Sequence, residues 1–501
     1  MPFAFFLILQ SGYAGLRLAG IFSDHMVLQR DQPVHLWGYA DAKAQVSVEV
    51  ADQRHFTQAD QEGRWSLTLF PMEASAESQR CTVSSAGETV QLEDVLIGEV
   101  WHASGQSNMA MTMNAVIKRL NLVHHVTESS DLPLRFRRIR EGDSSEAQAD
   151  VPVGSGWIVS SPDMVATWSA VAFYFARRLH QRLGVPIGII DTSRGGTPIE
   201  PFIPEAAFKD HPTLIRELEL GSDNDLEGLW KLPGGVRARD AHWLPGRLFH
   251  SRLAPIARFA TQGTIWYQAE SNCGKGEDPR DYQHKMRALI RGWRAAFGQP
   301  QMPFYYVQLP GSGAGSNWPY MREQQRLSMD LPRTGMAVTI DLLDDDIHPA
   351  NKYDVGDRLA RWALAKTYGE DIAYSGPLMD RVILGDGHAT VFFLHAKDGL
   401  IVAIKDGLNA PVKSSETELA HFELADGEGN WQAAQASIVG QSVVVRSAKV
   451  PNPKAVRYGY EVNPQHCYLY SKIGFREVGL PAAPFCSDPN LLVIDPGIPI
   501  E

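Results

Sequence analysis

Apolar and polar residues alternate with period two from about residue 16 to 96. Val34-His35-Leu36-Trp37-Gly38, Gln45-Val46-Ser47-Val48-Glu49-Val50 and Arg64-Trp65-Ser66-Leu67-Thr68-Leu69 each put apolar side chains on one face, bounded by Gly, Asp and Pro. Such runs predict half-buried strands and a small N-terminal β domain. From 97 to 370 the pattern becomes strand, then helix. Continuous apolar runs at 95–101, 186–191, 264–268, 304–307 and 336–340 predict buried strands. Between them Trp168, Val171, Phe175, Leu179 and Leu183 share one helical face, with Gly184 at the C-cap. Tyr282, Met286, Leu289, Ile290, Trp293 and Phe297 form a second such stripe before Gly298. Val355, Leu359, Trp362 and Ala363 form a third before Gly369. Alternating strands and helices predict a parallel sheet covered on both faces, an α/β core. Residues 205–248 show no readable period and are expected to be an irregular insertion. From 371 to 501 period two returns, with strands expected at 390–394, 400–404 and 442–446 in a C-terminal β domain.

Length supports this division, since 501 residues exceed what one hydrophobic core serves. The net charge of −11 and the lack of a basic stripe argue against a nucleic-acid binder. The four cysteines, Cys81, Cys273, Cys467 and Cys486, form no CxxC pair, so no zinc site is expected. No cofactor is expected either, since the chemistry of the strand-end loops needs only side chains, amides and water. They read as free buried thiols. Met1–Ala14 (MPFAFFLILQSGYA) resembles the apolar region of a signal peptide, although it lacks a leading Lys or Arg, and suggests a secreted or periplasmic protein. No other stretch reaches the length of a membrane span.

The chemistry lies where strands end, because open α/β sheets bind ligands beyond the carboxyl ends of their strands. Ser104-Gly105-Gln106-Ser107-Asn108-Met109 follows the first core strand, and Thr192-Ser193-Arg194-Gly195-Gly196-Thr197-Pro198 follows the strand at 186–191. Ala269-Glu270-Ser271-Asn272 follows 264–268, and Asp341-Leu342-Leu343-Asp344-Asp345-Asp346-Ile347-His348-Pro349 follows 336–340. A serine hydroxyl is a weak nucleophile until a base stands within hydrogen-bond reach and a third group fixes that base. The four loops supply a hydroxyl, a glycine amide, an asparagine amide and a histidine beside carboxylates. Taken singly, each is more often a cap, a turn or a solvated loop. Their joint occurrence at four strand ends makes an acyl-transfer site.

In this chain order Ser, Gly, Asn and His resemble the SGNH hydrolases, and within them the sialate O-acetylesterase family. Further matches are Phe22-Ser23-Asp24-His25-Met26-Val27-Leu28-Gln29-Arg30, Gly195-Gly196-Thr197-Pro198-Ile199-Glu200, Trp266-Tyr267-Gln268, Asn351-Lys352 and Gly479-Leu480-Pro481. The resemblance implies an SGNH-type three-layer α/β/α core flanked by β domains, and hydrolysis of O-acetyl esters on sugars. An acetyl-xylan esterase and a non-catalytic sugar-binding protein are the alternatives. It implies Ser107 as nucleophile, His348 as base, and the Ser107 and Gly196 amides with the Asn272 side chain as oxyanion donors. The superfamily spacing Asp-x-x-His points to Asp345 as the acid; Asp344 and Asp346 are as near, and a backbone carbonyl could orient His348 instead. Gln106, Arg194, Gln268 and Glu270 are the candidate substrate-binding residues. Arg194 and His102 depart from the family pattern, and both are expected to alter the pocket.

Overall fold

A computed structural model of the chain describes residues 15–492, apart from 131, 153, 155, 236–240, 275, 276, 416, 475 and 476. The signal-like segment Met1–Ala14 lies outside the described residues. The central sheet runs Trp157–Val159, Leu134–Arg138, Ile187–Asp191, Glu88–Gly105, Gly263–Tyr267, Phe304–Val307, Thr334–Ala337. Only the first pair is antiparallel; the rest are parallel. The chain leaves the Glu88–Gly105 strand to one side and later returns to its other side, so this strand borders the switch point where ligands bind in such sheets.

Helices cover both faces. Trp101 packs its ring on Phe175 of helix Ala170–Leu183, centroids 5.1 Å apart. Helix Lys352–Lys366 lies against that helix. On the opposite face Trp266 meets Trp293 of helix Tyr282–Ala296 at 6.0 Å. Ser169 caps the first of these helices, accepting from the Ala172 amide at 3.2 Å, and Gly184 closes it in the left-handed conformation at φ 69°.

Two findings refine the sequence reading. A boundary between 96 and 97 falls inside Glu88–Gly105, an 18-residue strand. Its first half pairs antiparallel with Ser75–Ser85 and its second half lies in the parallel sheet, so the N-terminal β layer and the core share it. The described part of 205–248 is not wholly irregular. It carries the helices Pro212–Ser222 and Leu226–Lys231, too short for periodicity to stand out. Among the described residues, strands after residue 377 form three four-stranded antiparallel sheets, with Leu400–Ile404 and Ser442–Arg446 where alternation put them. All four cysteines are free and buried. Among the described residues no helix is long and apolar enough to cross a membrane.

His102 does not reach a substrate pocket. It is buried between the sheet and the rings of Trp293 and Phe297. Burial pushes its pKa down to about 3. The unfolded chain therefore binds a proton below the ordinary histidine range that the fold refuses. Stability from this group is complete above that range and is lost as pH falls toward the folded value. His102→Phe is expected to reduce the acid-induced stability loss between about pH 7 and pH 4 by up to roughly 3 kcal/mol, read from guanidinium midpoints.

Candidate active site

The four strand-end loops meet at one edge of the sheet. Gly105 ends its strand at φ +130°, and a Cβ there would lie 2.1 Å from the Tyr267 carbonyl oxygen. Only glycine lets the chain turn this closely. Ser107 follows at the start of the single turn Ser107–Ala110 and is half-buried. The next loop is tied alongside: Thr192 N donates to Ala103 O at 3.0 Å and Arg194 N to Gly105 O at 2.9 Å. It passes so near that a Cβ on Gly195 would lie 3.7 Å from the Ser107 Cβ. Gly196 stands exposed at φ +65°.

His348 Nε2 lies 2.8 Å from Ser107 Oγ, within hydrogen-bond distance. The three aspartates before it divide their tasks. Asp344 holds the loop: its Oδ1 accepts from the Asp346 amide at 3.0 Å and its Oδ2 from the Ala350 amide at 2.9 Å. Arg119 clamps the same loop, donating to both Asp344 oxygens at 2.7 and 2.8 Å and to the His348 carbonyl at 2.6 Å. Asp346 faces the histidine, with Oδ1 3.0 Å from the His348 amide and 3.4 Å from Nδ1. The hydrogen bond from the His348 amide, with the nearby His348 and Arg119 charges, holds Asp346 below the usual carboxylate range. Asp345, where the superfamily spacing points, is turned to solvent.

Asn272 is buried, and its amide orientation follows from its partners. Oδ1 accepts from the Ile199 amide at 3.0 Å and from Gln268 Nε2 at 2.8 Å, so Nδ2 faces the Glu200 carboxylate. Three of the four expected substrate contacts are turned inward. Gln106 Oε1 accepts from Gln268 Nε2 at 3.0 Å and from the Ser271 amide at 3.1 Å. Gln268 Oε1 accepts from Tyr282 OH at 2.8 Å. Glu270 accepts from Asn108 Nδ2, and burial raises its pKa. These side chains lock the loops to one another. Arg194 alone is half-exposed.

The same architecture recurs in a solved structure. A carbohydrate acetylesterase from Xanthomonas citri superposes with a TM-score of 0.81 at 32% identity, over 94% of this chain and 99% of that one. The chain belongs to the carbohydrate acetylesterases. The profile described as "carbohydrate esterase, sialic acid-specific acetylesterase" matches residues 233–365. Sialate O-acetylesterase of Rattus norvegicus is 27% identical over 94% of both chains, and that of Homo sapiens 28% identical over 75% of this chain and 76% of its own. Like these relatives, the chain is a carboxylic ester hydrolase.

Five residues around these loops were not singled out from the sequence. Asn108 joins the Ser107 and His348 loops: besides Glu270, its Nδ2 donates to the Ile347 carbonyl at 3.0 Å, and its Oδ1 accepts from Lys352 Nζ. Lys352 is wholly buried, 5.0 Å over the Tyr267 ring, and burial pushes its pKa down to about 7. Glu200 and Lys285 sit beneath Asn272. Asn108, Glu200 and Lys352 stood inside recognised motifs, but nothing in the motifs named their partners. Lys285 lies on the apolar stripe of its helix, where an unpaired charge would be costly, and that was a readable signal. Arg119 gave none.

Proposed function

We propose that the chain is an SGNH-type serine esterase that removes acetyl groups from O-acetylated sugars, sialate among them. The observation that carries this reading is the 2.8 Å approach of His348 Nε2 to Ser107 Oγ at the switch point of the sheet. Ser107 Oγ attacks the acetyl carbonyl as His348 takes its proton. The amides of Ser107 and Gly196 and the second Nδ2 proton of Asn272 receive the oxyanion. His348 then protonates the departing sugar oxygen, leaving an acetyl ester on Ser107. Water, deprotonated by His348, attacks that ester, and acetate leaves as the proton returns to Ser107. Asp346 holds the imidazole and offsets its positive charge in the transition state. A location outside the cytoplasm accords with the apolar Met1–Ala14 segment.

The assignment of Asp346 has a direct check. Asp346→Ala is expected to lower kcat by roughly tenfold, as its carboxylate is half-exposed and screened. Asp345→Ala is expected to leave kcat unchanged. Parallel kinetics of the two variants decide between them.

An acidic sugar suits the charge around Arg194. Arg252 and His242 have depressed pKa values, burial being the main cause and the Arg194 charge the second. A substrate carboxylate would offset the neighbouring Arg194 and Arg252 charges. Acetate release from O-acetyl sialic acid, acetylated xylan and p-nitrophenyl acetate tests the point. Arg194→Ala is expected to raise KM about tenfold for the acidic sugar, the size of one lost charge-assisted hydrogen bond, and to leave the other two substrates unaffected. Faster turnover of xylan, with no effect of Arg194→Ala on any substrate, would favour a plant-polysaccharide esterase.

A further inference from the structure

Beneath the active site lies a buried charge cluster that the ester chemistry does not itself use. Glu200 closes the Gly195–Glu200 motif and is 0% exposed; Glu217 is 1% and Lys285 2% exposed. The two oxygens of Glu200 accept from Asn272 Nδ2 at 2.8 and 3.1 Å. Lys285 Nζ donates to Glu200 Oε1, to Glu217 Oε1 at 3.0 Å and to the Gly234 carbonyl at 2.7 Å. All three ammonium protons are thereby used. Glu217 comes from helix Pro212–Ser222 and Gly234 from the segment after the next helix, so both belong to the 205–248 insertion.

The arrangement has an electrostatic consequence. A carboxylate whose two oxygens share one Nδ2 proton of Asn272 fixes the amide and leaves its second proton for an oxyanion. The same carboxylate, left uncompensated in a buried site, would repel a developing oxyanion on the far side of that amide. Lys285 removes the conflict. Burial opposes its charge, but Glu200 and Glu217 keep it protonated. Burial also raises the pKa of Glu217, with the Glu200 charge adding to the effect against Lys285.

We infer that Glu200 and Lys285 are positioning residues for the Asn272 oxyanion donor, Glu200 orienting its amide and Lys285 neutralising Glu200. The helical insertion completes the cluster by giving Lys285 its other two acceptors. This rests on the assignment of Asn272 made above.

The test is a set of double-mutant cycles on p-nitrophenyl acetate, with kcat and KM measured for Asn272→Ala, Lys285→Met, Glu200→Gln and the two doubles containing Asn272→Ala. Asn272→Ala is expected to lower kcat by about 10²–10³-fold. Lys285→Met and Glu200→Gln should each lower kcat by at least about tenfold with KM little changed, and should cost nothing further on top of Asn272→Ala. Losses that add fully, or that fall on KM, overturn the inference, as does full activity in Lys285→Met when Asn272→Ala is crippled. Should Lys285→Met fail to fold, the near-isosteric Glu200→Gln cycle decides alone. Full activity of Asn272→Ala would overturn the oxyanion assignment itself, a distinct result.

Discussion

Ser107→Ala is expected to lower kcat for acetate release by roughly 10⁴–10⁶-fold and to leave the thermal midpoint within a few degrees of wild type. The size of the effect follows from the chemistry: without Oγ there is no acyl-enzyme, and only direct water attack remains. Residual turnover is expected from the proposed oxyanion donors, which do not depend on the hydroxyl. The small effect on stability follows from the fold. Ser107 is half-buried, and the side-chain contact its Oγ makes is the one with His348. The turn that presents it is held by main-chain bonds instead, with Gln106 N on Tyr267 O at 2.9 Å and Met111 N on Ser107 O at 2.8 Å. Stopped assays on p-nitrophenyl acetate, with calorimetry of the same samples, check both halves.

His348→Ala is expected to lower kcat to about the same floor, and the Ser107→Ala/His348→Ala double to go no lower. Residues that act as a unit lose the whole reaction when any one is removed, so their effects do not add. The variant should remain folded. The loop carrying His348 is fixed by Asp344, by Arg119 on the His348 carbonyl and by Asn108 on the Ile347 carbonyl, none of which involves the imidazole. A double variant much slower than either single would mean that serine and histidine serve separate steps.

Much of this site was legible in the sequence because it sits where strands stop. A strand end is visible as the break of an apolar run, and residues such as Ser107, Gly196, Asn272 and His348 are conspicuous at four such breaks. What stayed hidden depends on rotations of one residue. Asp344, Asp345 and Asp346 differ by a single step along an irregular loop, and spacing cannot tell which faces the imidazole. The structure settles their orientation through two backbone bonds to Asp344. Gln106, Gln268 and Glu270 were expected to meet substrate; they are buried, and Gln106 Oε1, the Gln268 amide and Glu270 Oε1 bond to neighbouring loops. The partnership of Glu200, Lys285 and Glu217 spans separations of 85 and 68 residues, beyond the reach of any local pattern. The N-terminal boundary was hidden for the opposite reason: one strand keeps its apolar run while passing from one sheet to another.

The most direct test of the account is covalent labelling with a dialkyl fluorophosphate, followed by peptide mapping. The account predicts one phosphoryl group per chain on Ser107, loss of esterase activity in proportion to labelling, and no labelling in His348→Ala. Label on another serine, or full activity in fully labelled enzyme, would contradict it.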